Sequence, residues 1–170
     1  LLDYFMTEVN NEFTKESTNI LTHQRDVILF DMIGRGLSLT HRSFNALEIS
    51  SGDLDVQATP LCWVMMEKQC NADTQQKLVD YVNQGGKLIL AGRMCTEEIN
   101  HEGCTILKDA IGIEQIKDDL PRFSNELRIF NYRDVPVSFV ETYSGEFDEV
   151  FSTRENGEVV GFIKWMEKGK

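Results

Sequence analysis

The sequence has few basic residues. Only 17 of its 170 residues are Lys or Arg, against 28 Asp or Glu, and the formal net charge is −11. A surface that follows a nucleic acid backbone needs an excess of cations, because each phosphate carries a negative charge. The charge balance therefore excludes an extended nucleic-acid-binding surface and predicts no nucleic acid partner.

Proline, glycine and long apolar runs are also scarce. The chain has 3 Pro and 12 Gly while 41% of its residues are hydrophobic, a composition typical of a folded domain and not of a linker or disordered tail. No apolar run approaches the ~18–20 residues that cross a bilayer, and the mean hydropathy is −0.29. The length predicts one folded domain, and the hydropathy predicts no membrane segment.

Cysteine is too sparse for a disulfide-stapled fold. The four cysteines are Cys62, Cys70, Cys95 and Cys104, and a chain of 170 residues would need more to be held together by bridges. We therefore expect reduced thiols and a cytoplasmic location. Two disulfides in a secreted protein are the alternative.

The two ends of the sequence indicate a part excised from a longer polypeptide. The chain begins at Leu1 without an initiator Met, and its first residues lack the pattern of a secretory signal. It stops at Lys170, soon after a strand-like run over residues 159–165. A naturally short chain is the alternative. Residues 1–23, with apolar residues at 1, 5, 9 and 13, are expected to form a linker or helix from a preceding domain.

Three apolar runs predict buried strands of a parallel sheet. They cover residues 26–30, 61–66 and 87–91. Between the last two runs, Asn71 is expected to cap a helix that reaches about Gln84 and ends at Gly85. A strand, a helix and a strand in close succession predict a parallel pair. Residues 32–37 are expected to form a loop, residues 41–47 have helical spacing, and residues 46–49 form a candidate short strand.

The pattern changes after about Pro121. Short strand-like runs follow at residues 127–130, 135–140, 147–151 and 159–165, and Asn156-Gly157 is typical of a hairpin turn. We predict an α/β core over residues 24–118, with a helix near its end that stops at Gly112. Residues 119–170 are predicted to be a β-rich extension whose antiparallel strands extend or flank the sheet.

Candidate chemistry lies in the loops that follow the predicted strands, because open parallel sheets bind ligands at the carboxyl ends of their strands. Cys95 follows a buried strand, as a nucleophile does at a strand-to-helix elbow, and His101 is near it in sequence. The glycines of such an elbow are absent, since Arg93 and Glu97 stand in their places. An inert thiol is the favoured interpretation. The candidate loops hold Asp31, Gly34, Arg35, Gly36, Glu67, Lys68, Cys70, Gly92, Arg93, Cys95, Thr96, Glu97 and Glu98.

Other patterns are weaker. Gly34-Arg-Gly36 is similar to a phosphate-binding turn, but it lacks a third glycine and a following lysine, so a plain loop is favoured. A zinc site built from Cys70, Cys95, His101 and Cys104 would not have the ligand spacing of a zinc knuckle. Trp63 and Trp165 lie in apolar runs and are expected in the core rather than at a sugar-binding surface.

Several segments resemble the glutamine-amidotransferase-like domain of bacterial β-galactosidases, glycoside hydrolase family 35, a relative of the trimerisation domain of family 42. The most distinctive segment is Leu78-Val-Asp-Tyr-Val-Asn-Gln-Gly-Gly-Lys-Leu-Ile-Leu90. The others are residues 26–31, 44–49, 53–55, 60–64 and 104–113, with weaker similarity at residues 157–162 and Gly169.

This resemblance implies a flavodoxin-like, class I glutamine amidotransferase-like three-layer α/β sandwich with a mostly parallel sheet. Such a domain follows a catalytic (β/α)₈ barrel, which carries both catalytic glutamates. The resemblance therefore implies no catalytic residue, cofactor or metal in this chain. It implies a non-catalytic accessory or oligomerisation domain, with the barrel of the same chain, further copies of the full-length enzyme and the galactoside of that enzyme as partners. The alternative is a cysteine-dependent amidohydrolase that uses Cys95 and His101, although the His-x-Glu of its triad is not matched.

Overall fold

A computed structural model of the protein describes residues 18–22, 27–39, 41, 44–48, 54–119, 124–137 and 140–170. These residues form two compact units. The first contains the described residues up to Leu107 together with Met166–Lys170, and the second is Lys108–Trp165. The helix or linker was expected over residues 1–23; Thr18–Thr22 of this range form a strand, and the remainder lies outside the described residues.

The first unit is built on a four-stranded parallel sheet with the strand order β2-β1-β3-β4. The strands are β1 (Thr18–Thr22), β2 (Phe44–Glu48), β3 (Leu61–Met66) and β4 (Lys87–Gly92). Helix α1 (Val27–Leu39) connects β1 to β2, and helix α2 (Ala72–Asn83) connects β3 to β4. None of the helices in the described ranges is long and apolar enough to cross a membrane.

The predicted strand, helix and strand over residues 61–91 are confirmed. β3 and β4 run parallel, with Cys62 opposite Leu88 and Val64 opposite Leu90. Asn71 is the N-cap of α2, although its side chain makes no capping hydrogen bond. The helix ends before Gly85, whose φ of 107° is a left-handed conformation that glycine adopts without strain.

Most of the buried apolar residues of this unit come from β3 and α2. Those from β3 are Cys62, Val64, Met65 and Met66, and those from α2 are Leu78, Val79, Tyr81 and Val82. The Tyr81 hydroxyl donates a hydrogen bond of 2.8 Å to the carbonyl oxygen of Thr59. Tyr81 is 1% exposed, and burial raises the pKa of its phenol, so the hydroxyl keeps its proton.

The prediction of a strand over residues 26–30 is wrong, because residues 27–30 form the start of α1. An apolar run does not by itself distinguish a buried strand from a buried helix. Here apolar residues resume at Met32 and Ile33 after the single charged residue Asp31, and together the apolar positions extend beyond the length of a typical strand. The first strand is instead β1, in a segment whose polar residues concealed it. The helix expected at residues 41–47 is also wrong, since β2 occupies most of this segment.

The second unit is a six-stranded sheet with the order β5-β8-β10-β9-β6-β7. Every strand pairing assigned in it is antiparallel. The strands are β5 (Ile113–Asp119), β6 (Ser124–Ile129), β7 (Tyr132–Val137), β8 (Val140–Gly145), β9 (Glu149–Arg154) and β10 (Val159–Ile163). The short helix α3 (Ile106–Ala110) precedes β5, and the turn after it includes Gly112, as predicted.

Aromatic stacking and a tight hairpin organise the second unit. Phe147 stacks on Phe162 at 3.9 Å between ring centroids, and Tyr143 meets Phe162 edge-on at 5.6 Å. The predicted hairpin at Asn156-Gly157 is confirmed: β9 and β10 pair on either side of it, and Gly157 has a φ of 86°.

The predicted fold class is wrong. The described residues contain few helices, and six of the ten strands form an antiparallel sheet of their own, while the parallel sheet has four strands. The protein is therefore not a mostly parallel, flavodoxin-like three-layer sandwich. The C-terminal strands do not add to the parallel sheet, because they find hydrogen-bond partners among themselves.

Candidate functional site

Two loops meet at the carboxyl ends of β3 and β4. We call residues 67–71 and 93–105 the loop edge. Main-chain hydrogen bonds join the two segments: the N–H of Cys70 donates to the carbonyl oxygen of Glu97 at 2.8 Å, and the N–H of Thr96 donates to that of Lys68 at 2.9 Å. Gln69 and Glu97 form a parallel bridge. These bonds bring together the predicted site residues that follow β3 and β4.

The candidates that follow Phe30 are not part of the loop edge. Asp31, Gly34, Arg35 and Gly36 all lie within α1. Arg35 Nε pairs with Asp31 Oδ2 at 2.7 Å, one helical turn away. The Gly34-Arg-Gly36 segment is therefore helical. The interpretation as a phosphate-binding turn is wrong, and so is the plain loop that was favoured over it.

Cys95 is buried inside the loop edge and is 0% exposed. Its thiol hydrogen-bonds to the thiol of Cys70, and this bond together with burial raises the pKa of Cys95. The same hydrogen bond lowers the pKa of Cys70, whose residue is 1% exposed. A protonated thiol that solvent does not reach is a poor nucleophile, because the thiolate is the reactive form.

His101 is exposed and is oriented by other groups. Its Nδ1 lies 2.8 Å from Gln69 Nε2 and 3.5 Å from Glu97 Oε2. Its φ of 68° is unusual for a residue with a side chain. In the part of the chain that the structure describes, these contacts join the imidazole to Gln69 and Glu97, and no hydrogen bond joins it to Cys95. This geometry disfavours the pairing of nucleophile and base that an amidohydrolase needs.

Glu97 pairs with two basic side chains, Lys68 and His101, on the exposed side of the loop edge. Its Oε1 lies 2.6 Å from Lys68 Nζ, and the hydrogen bond from Lys68 holds the pKa of Glu97 below its ordinary value of 4.5. His101 lowers the pKa of Glu97 further. The carboxylate therefore stays ionised at neutral pH and is engaged by two neighbours.

Sequence reasoning missed Gln75, which is 0% exposed on α2. Its Nε2 donates to the carbonyl oxygens of Cys70 at 3.0 Å and Cys104 at 3.2 Å. Its Oε1 accepts a hydrogen bond of 3.1 Å from the N–H of Leu107. A signal was present, because Gln75 lies three residues before Leu78 and four before Val79, on the helix face that was predicted to be buried.

The loop edge does not have the geometry of a metal centre. Within the described ranges, no group of three or more His, Cys, Asp or Glu side chains is placed to hold a metal ion. All four cysteines are free thiols. The zinc site considered from Cys70, Cys95, His101 and Cys104 is not assembled.

Neither tryptophan is fully buried. Trp63 of β3 is half-buried, and its indole N–H is buried without a hydrogen-bond partner among the described residues. Trp165 is 53% exposed, so the expectation that it lies in the core is wrong. Its main-chain N–H donates to Asp148 Oδ2 at 2.7 Å.

A family profile matches most of the chain. The profile is described as "GLMA-like, second domain", and it matches residues 12–150. A β-1,2-glucosyltransferase from Ignavibacterium album is 28% identical over 149 residues, which are 86% of this chain and 20% of that protein. The chain therefore spans about a fifth of the length of this curated relative.

Solved structures of β-galactosidases contain a domain with a similar fold. A polyextremophilic β-galactosidase from the Antarctic haloarchaeon Halorubrum lacusprofundi matches 99% of this chain with a TM-score of 0.65 and 14% identity. The GH42 β-galactosidase Gan42B from G. stearothermophilus matches 89% with a TM-score of 0.63 and 12% identity. The matched part is 28% of each of those chains.

Proposed function

The chain belongs to the GLMA-like second-domain family, and from this we propose that it is a non-catalytic accessory domain of a carbohydrate-active enzyme. The observation that carries the proposal is the extent of the structural match. The fold of nearly the whole chain recurs as 28% of a β-galactosidase, where it is one part of a longer polypeptide. The parent enzyme is then a glycosidase of the β-galactosidase kind, and a separate barrel domain holds its two catalytic glutamates.

The loop edge supports a non-catalytic role. Cys95 is buried and protonated, while the imidazole of His101 is held by Gln69 and Glu97. A domain of this kind contributes by packing against the catalytic barrel and by contacts between copies of the full-length enzyme. The four free, buried thiols also favour a cytoplasmic location for the parent enzyme.

The substrate of the parent enzyme is a β-linked glycoside, and we propose a β-galactoside. Glucose and galactose are the two sugars to compare, because one relative is a β-1,2-glucosyltransferase and the similar solved structures are β-galactosidases. The assay therefore uses nitrophenyl β-galactoside and nitrophenyl β-glucoside side by side. We expect a longer polypeptide that carries this domain and the barrel to cleave the galactoside faster. Faster cleavage of the glucoside would contradict the choice of sugar and leave the accessory role intact.

The accessory role is tested on the 170-residue chain alone. We expect no release of nitrophenol from either glycoside above the rate of a buffer blank. Turnover by the isolated chain at a rate comparable to that of the longer polypeptide would refute the proposal.

Thiol labelling separates this proposal from a cysteine-dependent amidohydrolase. Because all four cysteines are buried, we expect iodoacetamide near neutral pH to label none of them quickly in the native chain and all four in urea. Mass spectrometry of the tryptic peptides reports each site. Preferential labelling of Cys95 over Cys62, Cys70 and Cys104 in the native chain would favour the amidohydrolase.

A further inference from the structure

Three of the four cysteines lie in the loop edge. Cys70 belongs to its first segment, and Cys95 and Cys104 belong to its second. They are 1%, 0% and 9% exposed, in that order. Cys62 is separate from them, because it lies within β3 and its thiol hydrogen-bonds to the side chain of Tyr81. The loop edge therefore gathers thiols that the proposed function does not use.

The thiols of Cys70 and Cys95 are in direct contact through a hydrogen bond. The main chain holds Cys70 in place, because its N–H donates to the carbonyl oxygen of Glu97. It holds Cys95 through the next residue, Thr96, whose N–H donates to the carbonyl oxygen of Lys68. A disulfide joins two sulfurs at ~2.05 Å, so thiols that are already in contact need only a short approach to form one.

A buried side chain of α2 fixes the same framework. Gln75 Nε2 donates to the carbonyl oxygens of both Cys70 and Cys104. The N–H of Cys104 in turn donates to the carbonyl oxygen of Thr96 at 2.9 Å. The thiol hydrogen bond of Cys95 is with Cys70, whereas Cys104 acts on Cys95 through its charge. The contacts therefore favour Cys70 over Cys104 as the partner of Cys95.

The two thiols differ in acidity. The hydrogen bond with Cys95 lowers the pKa of Cys70 against the opposing effect of burial, and a hydrogen bond with the side chain of Thr74 lowers it further. Cys70 directly precedes Asn71, the N-cap of α2, and the positive end of a helix dipole favours a thiolate. The same thiol hydrogen bond and burial raise the pKa of Cys95. Cys70 is thus the thiol that ionises first, and Cys95 keeps its proton.

We propose that Cys70 and Cys95 form a reversible disulfide when the protein meets a hydroperoxide. The Cys70 thiolate attacks one peroxide oxygen and the O–O bond breaks, which leaves a sulfenic acid on Cys70. The departing oxygen takes up the proton that Cys70 released. The sulfur of Cys95 then attacks the sulfur of Cys70, the S–S bond forms, and the hydroxyl of the sulfenic acid leaves with the Cys95 proton as water. The two thiols lose two electrons and the peroxide gains them.

The disulfide would join the two segments of the loop edge covalently. Such a link restricts the unfolded chain, so we expect the oxidised protein to resist unfolding more than the reduced one. Because both thiols are buried, the peroxide reaches them through openings of the loop edge, and the reaction is slower than that of an exposed thiol. The inference rests on the contacts within the loop edge and is independent of the proposed function.

Oxidation of the native 170-residue chain by hydrogen peroxide tests the proposal. The oxidised chain is unfolded in urea and alkylated with iodoacetamide. We expect only Cys62 and Cys104 to be alkylated, whereas dithiothreitol given before alkylation restores all four sites. The urea concentration at the midpoint of unfolding is expected to rise on oxidation and to return to its original value after reduction.

Peptide mapping without a reductant identifies the bond. Trypsin leaves Cys70 in the peptide of residues 69–77, and it leaves Cys95 and Cys104 together in the peptide of residues 94–108. A second protease that cuts after glutamate separates these two cysteines, because three glutamates lie between them, at positions 97, 98 and 102. We expect the peptide of Cys70 to be linked to the fragment that contains Cys95.

Serine variants provide the controls, and circular dichroism checks that each variant is folded. Cys95→Ser is expected to abolish the link, so that dimedone, which reacts with sulfenic acids, traps Cys70. We expect at least about tenfold more dimedone on Cys70 in Cys95→Ser than on Cys95 in Cys70→Ser. Cys104→Ser is the matched control, since Cys104 is also a buried thiol of the loop edge, and it is expected to keep the link.

The result on the natural chain stands even if a variant fails to fold. Four alkylated cysteines after peroxide treatment, or a link through Cys62 or Cys104 in place of the expected one, would overturn the proposal. A native pairing that is no more selective than the mixture formed by peroxide in urea would also contradict it. Equal trapping by dimedone at the two sites would overturn the assignment of Cys70 as the attacking thiol.

Discussion

Replacing Gln75 by alanine removes a side chain that is fully buried and bonded through both its nitrogen and its oxygen. The carbonyl oxygens of Cys70 and Cys104 and the N–H of Leu107 would lose their partner. A buried polar group left without a hydrogen bond costs ~1–3 kcal/mol, so we expect Gln75→Ala to lower the free energy of unfolding by about 3–5 kcal/mol. Urea titration followed by circular dichroism measures the loss.

The neighbouring glutamine provides the control for this substitution. Gln76 is exposed and bonds only to Asp80 in the contacts that the structure describes. Gln76→Ala is expected to change the free energy of unfolding by less than about 0.5 kcal/mol. Equal losses for the two variants would mean that Gln75 does not hold the loop edge together.

Glu97 makes stability depend on pH in a predictable direction. Lys68 lowers the pKa of Glu97 below 4.5 in the folded chain, so the folded state favours the ionised form. The stabilisation is therefore fully present above the unfolded pKa and is lost as the pH falls through the lower, folded value. We expect Glu97→Gln to melt at a lower temperature than the natural chain at pH 7. The two melting temperatures should converge as the pH falls below the folded pKa of Glu97, where both side chains are uncharged.

A parallel substitution identifies the source of that pH dependence. Asp80→Asn removes an exposed carboxylate of α2 whose described contact is with neutral Gln76. Differential scanning calorimetry from acid to neutral pH is expected to show the natural pH profile for Asp80→Asn and a flatter one for Glu97→Gln. Identical profiles for the natural chain and Glu97→Gln would contradict the role given to Lys68.

At the scale of single elements, α1 contains two glycines with different surroundings. A Cβ at Gly36 meets open space, whereas a Cβ at Gly34 would lie 3.1 Å from the ring of Phe44. Alanine is preferred to glycine inside a helix by ~0.5–1 kcal/mol, so Gly36→Ala is expected to stabilise the chain by about that amount. Gly34→Ala has the same intrinsic gain but must displace Phe44, and it is expected to gain less. Thermal melts of both variants measure the two gains. An equal gain would show that the ring of Phe44 moves aside at no cost in stability.

Helices and strands could be predicted where the residues that flank an apolar run carry signals of their own. β3, α2 and β4 were predictable because a capping position, a helical stripe and a terminal glycine agree with one another over residues 61–91. The run at residues 26–30 carries no such signal at its ends, and its periodicity fits a helix as well as a strand. β1 was missed because its sequence, Thr-Asn-Ile-Leu-Thr, is mostly polar.

At the scale of the whole molecule, the net charge of −11 opposes association of the chain with itself. Salt screens this repulsion, since the Debye length falls from ~30 Å at 0.01 M to ~3 Å at 1 M. We expect any oligomer of the isolated chain to be weak and to strengthen with added salt. Sedimentation velocity at low and high salt measures it, and a tight oligomer at low salt or a monomer insensitive to salt would refute the expectation.

Candidate site residues could be found from the sequence only where the strands before them were predicted correctly. Cys95, Glu97 and His101 were placed near one another because β4 was predicted, and the structure does gather them at the loop edge. Their chemistry was not predictable, because burial of Cys95 and the orientation of His101 depend on neighbours that are distant in sequence. Gln69, for example, lies 32 residues from His101.

The sequence by itself determined the acidic surface, the strand-helix-strand unit at residues 61–91 and the hairpin at Asn156-Gly157. Each of these follows from composition or from contacts between residues close in the chain. Only the tertiary structure decided that the C-terminal strands form an antiparallel sheet of their own. It also decided that Gln75 holds the loop edge and that the thiol of Cys70 meets that of Cys95. These features depend on hydrogen bonds between segments far apart in the sequence, and a local pattern of residues does not specify which distant partner a strand or side chain will meet.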